Sequence, residues 1–173
     1  MEDYMKKIVI INSSPRVHGN CDILCSEFGR GAVMNEGNEV VRIDLKDADI
    51  EYYREEQRED DLDSIAKQMM AANVIVLATP VYFYTMSGQM KTLIDRMMPY
   101  FSDLSAKDFY FILTAAINRK EMEPTVEALQ GFIDSIPDSR LVHVIYGSNV
   151  NQKGEIMGHP AYREAFEVAS RIF

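Results

Sequence analysis

The sequence is poor in cysteine and has no long apolar run, and each shortage narrows what the chain can be. Its two cysteines, Cys21 and Cys25, lie one helical turn apart in a predicted helix. A disulfide between them is not expected, and a reducing compartment is the simpler interpretation. No stretch approaches the roughly 18 apolar residues of a membrane-spanning helix, and no cleavable leader pattern follows the first lysines. We expect a cytoplasmic protein without a membrane partner.

Basic residues are also scarce: 18 lysines and arginines stand against 27 aspartates and glutamates, for a formal net charge of -9. Nucleic-acid binding needs clustered surface cations, so a nucleic-acid partner is not expected. The net charge does not exclude binding of small anionic ligands, because such ligands are held by the residues of local loops. With 173 residues, of which 47% are hydrophobic, the chain can bury a core as one domain spanning residues 1–173.

Short apolar runs rich in β-branched residues alternate with amphipathic segments along the chain. Apolar runs without polar alternation are typical of strands buried on both faces of a parallel sheet. The pattern predicts strands at 7–12, 40–45, 74–79, 109–114 and 141–146, and helices at 20–34, 61–72, 87–97, about 123–136 and 160–172. We therefore expect an α/β protein with three layers and a doubly wound, five-stranded parallel sheet of flavodoxin-like strand order 2-1-3-4-5.

The segment between the first strand and the first helix, residues 12–21, is rich in residues that suit a phosphate. Ligands of open α/β sheets bind beyond the carboxyl ends of the strands, and this loop lies there. Gly19 permits a close backbone approach, and free N–H groups open the helix. The polar side chains are Ser13, Ser14, Arg16 and Asn20, the last also a candidate N-cap. An ordinary polar turn with nothing bound remains the alternative.

A second informative segment follows the third strand. Pro80 is expected to end that strand, and three consecutive aromatic residues then form a loop near the first one. Tyr82, Phe83 and Tyr84 suit a planar ring, although core residues of an extended strand are the alternative. Ser87 is predicted to cap the next helix.

Both segments resemble those of one family. Residues 13–21 resemble the pattern G-S-P-R-x-x-G-N-T, and residues 80–96 (PVYFYTMSGQMKTLIDR) resemble the loop and helix after strand three of NADPH-dependent FMN reductases and related flavodoxin-like oxidoreductases. The resemblance covers essentially the whole chain, with Tyr146, Gly147 and the run 154–165 near its end. It implies that FMN is bound and that NADPH or NADH is the co-substrate.

The resemblance also implies positions for the cofactor. The implied phosphate contacts are Ser14, Arg16, His18, Asn20 and Cys21, and the implied ring contacts are Pro80, Val81, Tyr82, Phe83, Thr114 and Ala115. Arg119 and Lys120 are candidates for positive charge near the ring. No catalytic side chain is expected, because the cofactor does the chemistry. No metal site is expected either: His18 with Cys21 and Cys25 lacks a fourth ligand nearby, and His143 and His159 are interpreted as incidental.

Two departures from the family pattern concern the phosphate loop. Ser13 replaces the usual glycine and is expected to crowd the loop slightly. Cys21 replaces the usual threonine, so a weak S–H donor stands where a hydroxyl would, and weaker FMN binding is expected. Relatives with an iron–sulfur cluster have cysteines after the second strand, whereas the acidic segment 44–63 has none. That segment is either a solvated loop or a flap whose Tyr52 and Tyr53 cover the ligand.

The expected function is an FMN-dependent NAD(P)H oxidoreductase that passes electrons to a small acceptor such as a quinone or free flavin. The alternatives are an FMN electron carrier without efficient NAD(P)H turnover and a non-flavin interaction domain on the same fold. A homodimer or homotetramer is also expected. The methionines at 86, 90, 97 and 98 fit an adaptable surface for it, although a place in the core fits them equally well.

Overall fold

A central sheet with helices on both faces dominates the computed structural model, which describes residues 5–173. The strands are β1 (Lys7–Asn12), β2 (Glu39–Asp44), β3 (Val74–Tyr82), β4 (Thr85–Met86), β5 (Asp108–Thr114) and β6 (Arg140–Gly147). The helices are α1 (Asn20–Ala32), α2 (Leu62–Ala71), α3 (Gly88–Arg96), α4 (Arg119–Asp134) and α5 (Pro160–Ala169). Short 3-10 turns cover Leu45–Asp47, Met98–Asp103 and Glu155–Gly158.

The five long strands are parallel in the order β2-β1-β3-β5-β6, and β4 pairs antiparallel with the end of β3. Without β4 this is the predicted 2-1-3-4-5 order, so the flavodoxin-like fold is confirmed. Four of the five long strands, β1, β2, β5 and β6, lie within one residue of their predicted limits at each end. The fifth, β3, is longer than predicted, and the short strand β4 was not predicted.

The expectation that Pro80 ends the third strand is wrong, because β3 continues to Tyr82 and Pro80 pairs with Thr114 of β5. The backbone carbonyl of Ala78 points toward β1, where it accepts a hydrogen bond from Ser13 N at 2.9 Å. Backbone polar groups alternate sides along a strand, so Pro80 faces the same side, beyond the end of β1. The N–H that proline lacks is therefore not needed by a neighbouring strand.

The core forms two layers because alternate strand residues face opposite sides of the sheet. One layer lies under α2, α3 and α4, and the other lies under α1 and α5. The first contains Val9, Ile11, Ile75, Leu77, Phe109 and Phe111, and the second contains Ile8, Ile10, Val74, Val76, Tyr110 and Ile112. This two-sided burial explains why the strands lack polar alternation.

Helices α1 and α5 pack unusually closely at one glycine. A Cβ built on Gly31 would lie 2.2 Å from the backbone oxygen of Phe166, so only glycine fits at this crossing. Along the rest of α1, Leu24, Phe28 and Ala32 lie one helical turn apart and are fully buried. The close crossing fixes α1, and with it the loop that precedes α1, against the C-terminal helix.

Among the described residues, no helix is both long and apolar enough to cross a bilayer.

Candidate functional site

The loop between β1 and α1 is organised by side chains that bond to its own backbone. Asn12 Oδ1 accepts from Ser14 N at 3.1 Å, and Ser14 Oγ accepts from Arg16 N at 3.3 Å. His18 has a positive φ of 55°, and its N–H donates to Asp22 Oδ2 at 2.7 Å. These local bonds hold residues 12–18 in one compact turn at the carboxyl end of β1.

A network of ion pairs and hydrogen bonds connects this turn to the neighbouring strand β2. Asn12 Nδ2 donates to Asp44 Oδ1 at 2.7 Å, and Arg42 bonds to both Asp44 and Asp22. Burial alone would raise the pKa of Asp44, but the hydrogen bonds from Arg42 and Asn12 outweigh it and lower that pKa below its ordinary value. Asp44 is therefore a carboxylate at neutral pH and an acceptor that fixes Asn12.

Asn20 is the first residue of α1 and not its N-cap, which corrects the expectation from the sequence. Gly19 occupies the N-cap position, and because glycine has no side chain, the first N–H groups of α1 receive no side-chain cap from it. Asn20 instead reaches the C-terminal segment, donating to Gln152 O at 2.9 Å and accepting from Ile156 N at 3.2 Å. Arg16 donates to Asn151 O at 3.0 Å. The phosphate-type loop is thus tied to residues 151–156.

Two buried serines join this loop to the segment after β3. Ser13 Oγ donates to Ala78 O at 3.0 Å and accepts from Ser87 Oγ at 2.8 Å. The Ser13 hydroxyl is fully buried and bonded on both sides, a role that the sequence did not predict. Ser87 also accepts from Met90 N at 3.3 Å, which confirms it as the N-cap of α3.

The aromatic segment forms a tight hairpin between β3 and β4. Tyr82 pairs with Thr85, and the two central residues, Phe83 and Tyr84, have positive φ values of 50° and 66°. Positive φ at both positions is typical of a type I′ turn, which usually contains asparagine or glycine. A left-handed conformation costs a residue with a side chain about 1–2 kcal/mol. Thr125 on α4 is buried and donates to Tyr84 O at 3.2 Å, which holds the turn.

These loops surround a cavity of about 180 Å³ at the carboxyl edge of the sheet. Its lining is Ser14, Arg16, Asn20, Cys21, Pro80, Val81, Tyr82, Thr114, Ala115, Ala116, Val150 and Asn151. Nine of the eleven residues predicted from the sequence are in this list. His18 and Phe83 are not: both are exposed, and Phe83 is 96% exposed at the hairpin tip.

Three lining residues were missed by the sequence analysis, namely Ala116, Val150 and Asn151. They lie where the loops after β5 and β6 meet, since Ala115 N donates to Gly147 O and Val150 N donates to Ala115 O, both at 2.9 Å. Neither loop has a recognisable motif. The position of both after parallel strands was the only available signal.

The other side chains considered from the sequence, two histidines and one arginine, form contacts within the fold and away from the cavity. His143 bonds to Glu164 at 2.7 Å, and His159 caps α5 by accepting from Ala161 N. Arg119 lies 4.1 Å above the ring of Tyr146. None of these side chains lines the cavity described above. Among the described residues, no group of three or more histidine, cysteine or acidic side chains is placed to hold a metal ion.

Both cysteines are free thiols buried in α1. Cys21 Sγ lies 3.6 Å from Asn12 Oδ1 and lines the cavity. Burial, together with the neighbouring Cys21, raises the pKa of Cys25 well above its ordinary value. Cys25 is therefore a protonated thiol at neutral pH, and it packs as a small apolar residue.

The acidic segment 44–63 contributes no residue to the cavity lining. Tyr52 and Tyr53 are exposed and neither lines the cavity, so a flap formed by these tyrosines is not present. Arg58 bonds to Asp49 and Glu51 within the segment.

Of the four methionines considered for a subunit surface, those at 86, 90 and 97 are buried, and only Met98 is exposed.

Comparison with curated proteins gives relatives that match part or most of the chain. An iron–sulfur flavoprotein of Methanocaldococcus jannaschii is 37% identical over 102 residues, which are 54% of this chain and 52% of the relative. The chain spans about half the length of the iron–sulfur flavoproteins that it matches. The Bacillus subtilis protein YwqN, whose name assigns it to the NAD(P)H-dependent FMN-containing oxidoreductases, is 27% identical over 167 residues, 88% of this chain and 84% of its own length.

Solved structures share the fold over nearly the whole chain. The Trp repressor binding protein from Bacillus subtilis superimposes with a TM-score of 0.70 at 25% identity, covering 96% of this chain and 97% of that one. An FMN-dependent NADH-azoreductase from Bacillus anthracis in complex with FMN gives a TM-score of 0.74 at 16% identity, covering 95% and 98%. The family model for NADPH-dependent FMN reductases matches residues 6–135, which include the β1–α1 loop and the β3–β4 hairpin. The chain therefore belongs to the NADPH-dependent FMN reductase family.

Proposed function

We propose that this chain binds FMN in the cavity at the carboxyl edge of the sheet and is an NAD(P)H-dependent oxidoreductase. The observation that carries the proposal is the meeting of the β1–α1 loop and the β3–β4 hairpin around one cavity. These segments are about 65 residues apart in sequence. The hydrogen bond from Ser13 to Ala78 joins them in space. Family membership and nine predicted contact residues in one lining support the same assignment.

The β1–α1 end of the cavity has the donor set that a phosphate needs. Ser14 offers a hydroxyl, Arg16 offers a guanidinium, and the first turn of α1 offers N–H groups that have no acceptor within the helix. A helix N-terminus attracts anions through its partial positive charge. In a chain with a formal net charge of -9, these donors create a local anion site. The residues at this end fit the phosphate of FMN.

The other end of the cavity fits a flat ring that is covered on one side. Pro80, Val81 and Tyr82 supply one wall, and Thr114 and Ala115 supply the next. The cavity volume of about 180 Å³ lies below the roughly 300–1,000 Å³ of pockets that enclose a whole ligand. Part of the ring would therefore remain accessible. An accessible ring face is what a nicotinamide and an electron acceptor both require.

FMN, when bound, supplies a redox centre that takes hydride from a reduced nicotinamide and passes electrons on. The protein's part is to hold and orient. Among the described residues that line the cavity there is no histidine, aspartate or glutamate, so no side-chain general acid or base is proposed. Tyr82, which is 42% exposed and lines the cavity, is the residue we propose to contact substrates.

An iron–sulfur cluster, which the names of some relatives imply, does not fit the residues of this chain. Four thiolates usually hold such a cluster. This sequence has two cysteines, both buried in α1, and the segment after β2 has none. That segment is held instead by the ion pairs of Arg58 and by the pair of Arg96 with Asp60.

The finer parts of the proposal are the acceptor, the assembly and the compartment. We propose a small acceptor such as a quinone or free flavin, a homodimer or homotetramer, and a cytoplasmic location. The exposed side chains of Phe83 and Met98 are available to an interface between subunits. The two free thiols support a reducing compartment. Light scattering after gel filtration tests the assembly.

The central test is spectroscopic. The purified protein is titrated with FMN, and the complex is then mixed with NADPH or NADH under anaerobic conditions while flavin absorbance is followed. We expect saturable uptake of FMN and rapid bleaching, followed by reoxidation on addition of a quinone. Uptake without bleaching would indicate an electron carrier instead. A protein that takes up no FMN would refute the proposal.

A variant of the phosphate end sharpens the test. Arg16→Ala removes a charge-assisted hydrogen bond worth about 1.5–3 kcal/mol, so FMN affinity should fall about 10-fold to 150-fold. Lys153→Ala is the matched control, because it removes a cation from the same sheet edge but not from the cavity lining. Its FMN affinity should stay within about twofold of the wild type. Equal losses in both variants would assign the effect of Arg16 to general charge.

A further inference from the structure

Ser13 takes part in a hydrogen-bond chain that crosses the site from one loop to the other. Its hydroxyl contacts Ala78 O at 3.0 Å and Ser87 Oγ at 2.8 Å, 65 and 74 residues away in sequence. Ser13, Ser87 and the neighbouring Thr79 are all completely buried. Bonds of this kind are not screened by water, and a partner left without its bond is costly.

The distances in this hydrogen-bond network favour one arrangement of its protons, with Ser87 Oγ also lying 3.4 Å from the backbone oxygen of Ser13. Each hydroxyl has one proton to donate. Ser13 donates its proton to the carbonyl of Ala78, so it must accept from Ser87, and Ser87 in turn accepts from Met90 N at 3.3 Å. Alongside, Thr79 Oγ1 accepts from Ser87 N and donates to Pro80 O, both at 2.9 Å. Every hydroxyl therefore both donates and accepts.

The chain connects residues that belong to different halves of the proposed FMN site. Ser13 immediately precedes Ser14, which lines the phosphate end, whereas Ala78 and Thr79 immediately precede Pro80 and the ring end. Ser13, Thr79 and Ser87, whose hydroxyls form the network, do not line the cavity themselves. A change in the Ser13 hydroxyl would reach the ligand only through the relative position of the two halves.

We propose that Ser13 is a positioning residue that sets the spacing between the phosphate end and the ring end of the FMN site. The inference rests on the proposed function, because it concerns how the same site holds FMN. In the family pattern that this loop resembles, glycine stands at this position and provides no such hydroxyl. The coupling is therefore a property of this chain's own residue.

The test compares two flavins that differ by the phosphate. FMN engages both ends of the site at once, whereas riboflavin engages the ring end without a phosphate contact. Ser13→Ala should raise the Kd for FMN about threefold and at most about tenfold, because the worth of the lost buried hydrogen bond is the upper limit of its indirect effect, and it should change the Kd for riboflavin by less than about twofold. Fluorescence titration of each flavin gives both constants. The ratio of the two Kd values is a readout that a purely structural role would not move.

A matched control lies at the opposite edge of the sheet. Ser139 Oγ also bridges two segments, accepting from Lys107 N at 3.1 Å and donating to Pro137 O at 3.3 Å. Ser139→Ala should leave the Kd ratio unchanged. Ser13→Gly is the second variant, since glycine at this position is compatible with the fold in the family pattern, and it should reproduce the effect of Ser13→Ala.

A double-mutant cycle tests whether Ser13 acts through Ser87. The double variant Ser13→Ala/Ser87→Ala should lose less FMN affinity than the product of the two single effects, because both changes remove the same bond. An unchanged Kd ratio in Ser13→Ala and Ser13→Gly, equal weakening of both flavins, or multiplicative effects in the cycle would each overturn the inference. In those cases wild-type FMN binding is intact. If the wild type binds no FMN, the proposed function fails as well.

Discussion

Burial, and not distance, should decide what an arginine–aspartate pair contributes to the stability of this protein. Two such pairs have the same separation of 2.7 Å: Arg96 with Asp60, and Arg140 with Asp108. The side chains of the first pair are 6% and 2% exposed, and those of the second are 73% and 34% exposed. The chain therefore contains its own matched comparison.

The expected magnitudes follow from the surroundings of each pair. Asp60 also accepts from Glu51 N at 3.1 Å and Leu62 N at 3.0 Å, and Arg96 donates to Glu51 O at 2.7 Å. Asp60→Ala leaves Arg96 as a buried charge with only a carbonyl partner, a change that typically costs about 3–5 kcal/mol. Asp108→Ala breaks an exposed pair and should cost at most about 1 kcal/mol.

Urea unfolding at pH 7, followed by circular dichroism, measures both effects. A small domain has a total free energy of unfolding of about 5–15 kcal/mol, so Asp60→Ala should lower the urea midpoint sharply. Asp60→Asn, which keeps an acceptor oxygen, serves as the milder variant if the alanine variant is too unstable to measure. If Asp60→Ala and Asp108→Ala lowered the free energy of unfolding equally, the argument from burial would be refuted.

The same pair should respond to acid. Burial would raise the pKa of Asp60, but the hydrogen bonds from Arg96 and from the backbone outweigh it and lower that pKa below its ordinary value of 3.8. A carboxylate with a depressed pKa stabilises the fold above its unfolded pKa, and the contribution is lost as pH falls through the folded pKa. The stability difference between wild type and Asp60→Ala should therefore shrink below about pH 4.

Three further predictions concern packing, the hairpin and the cofactor. Gly31→Ala should lower the free energy of unfolding by about 1–3 kcal/mol, because its Cβ would meet Phe166 O at 2.2 Å, while Gly131→Ala, with open space around it, should raise that free energy by about 0.5–1 kcal/mol. The opposite ranking of their urea midpoints would contradict the packing argument. Thr125→Val removes the bond to Tyr84 O and should raise the Kd for FMN about threefold, whereas Thr125→Ser should not; a valine variant with wild-type affinity would disprove this role. Anaerobic incubation with iron and sulfide should give no iron–sulfur absorption, and a stable brown product would count against the cysteine argument.

Much of the sheet could be predicted because its strands are buried on both faces. Such strands are continuous apolar runs, and their ends are visible where the runs stop. The end of β3 was the exception, because proline is tolerated there only once β1 has ended beside it. That condition depends on strand order and register, which no local pattern contains.

The candidate site could be predicted where a motif lay next to a strand end. Ser14, Arg16, Pro80 and Tyr82, which were predicted as cofactor contacts, line one cavity. The hairpin could not be foreseen, because an aromatic pair is atypical of a type I′ turn and is stabilised from α4. Val150 and Asn151 lie in an ordinary loop, and Asn20 finds its partners more than 130 residues away.

The bonds from the first loop to the last one also have a consequence for synthesis. Arg16 and Asn20 are held by Asn151 and Gln152, which follow them by 135 and 132 residues. A growing polypeptide on the ribosome therefore carries the β1–α1 loop before the residues that tether it have been translated. The full set of bonds around this loop can therefore form only after almost the entire chain has emerged, and a chain that ended at β6 would lack the acceptors that Asn151 and Gln152 provide.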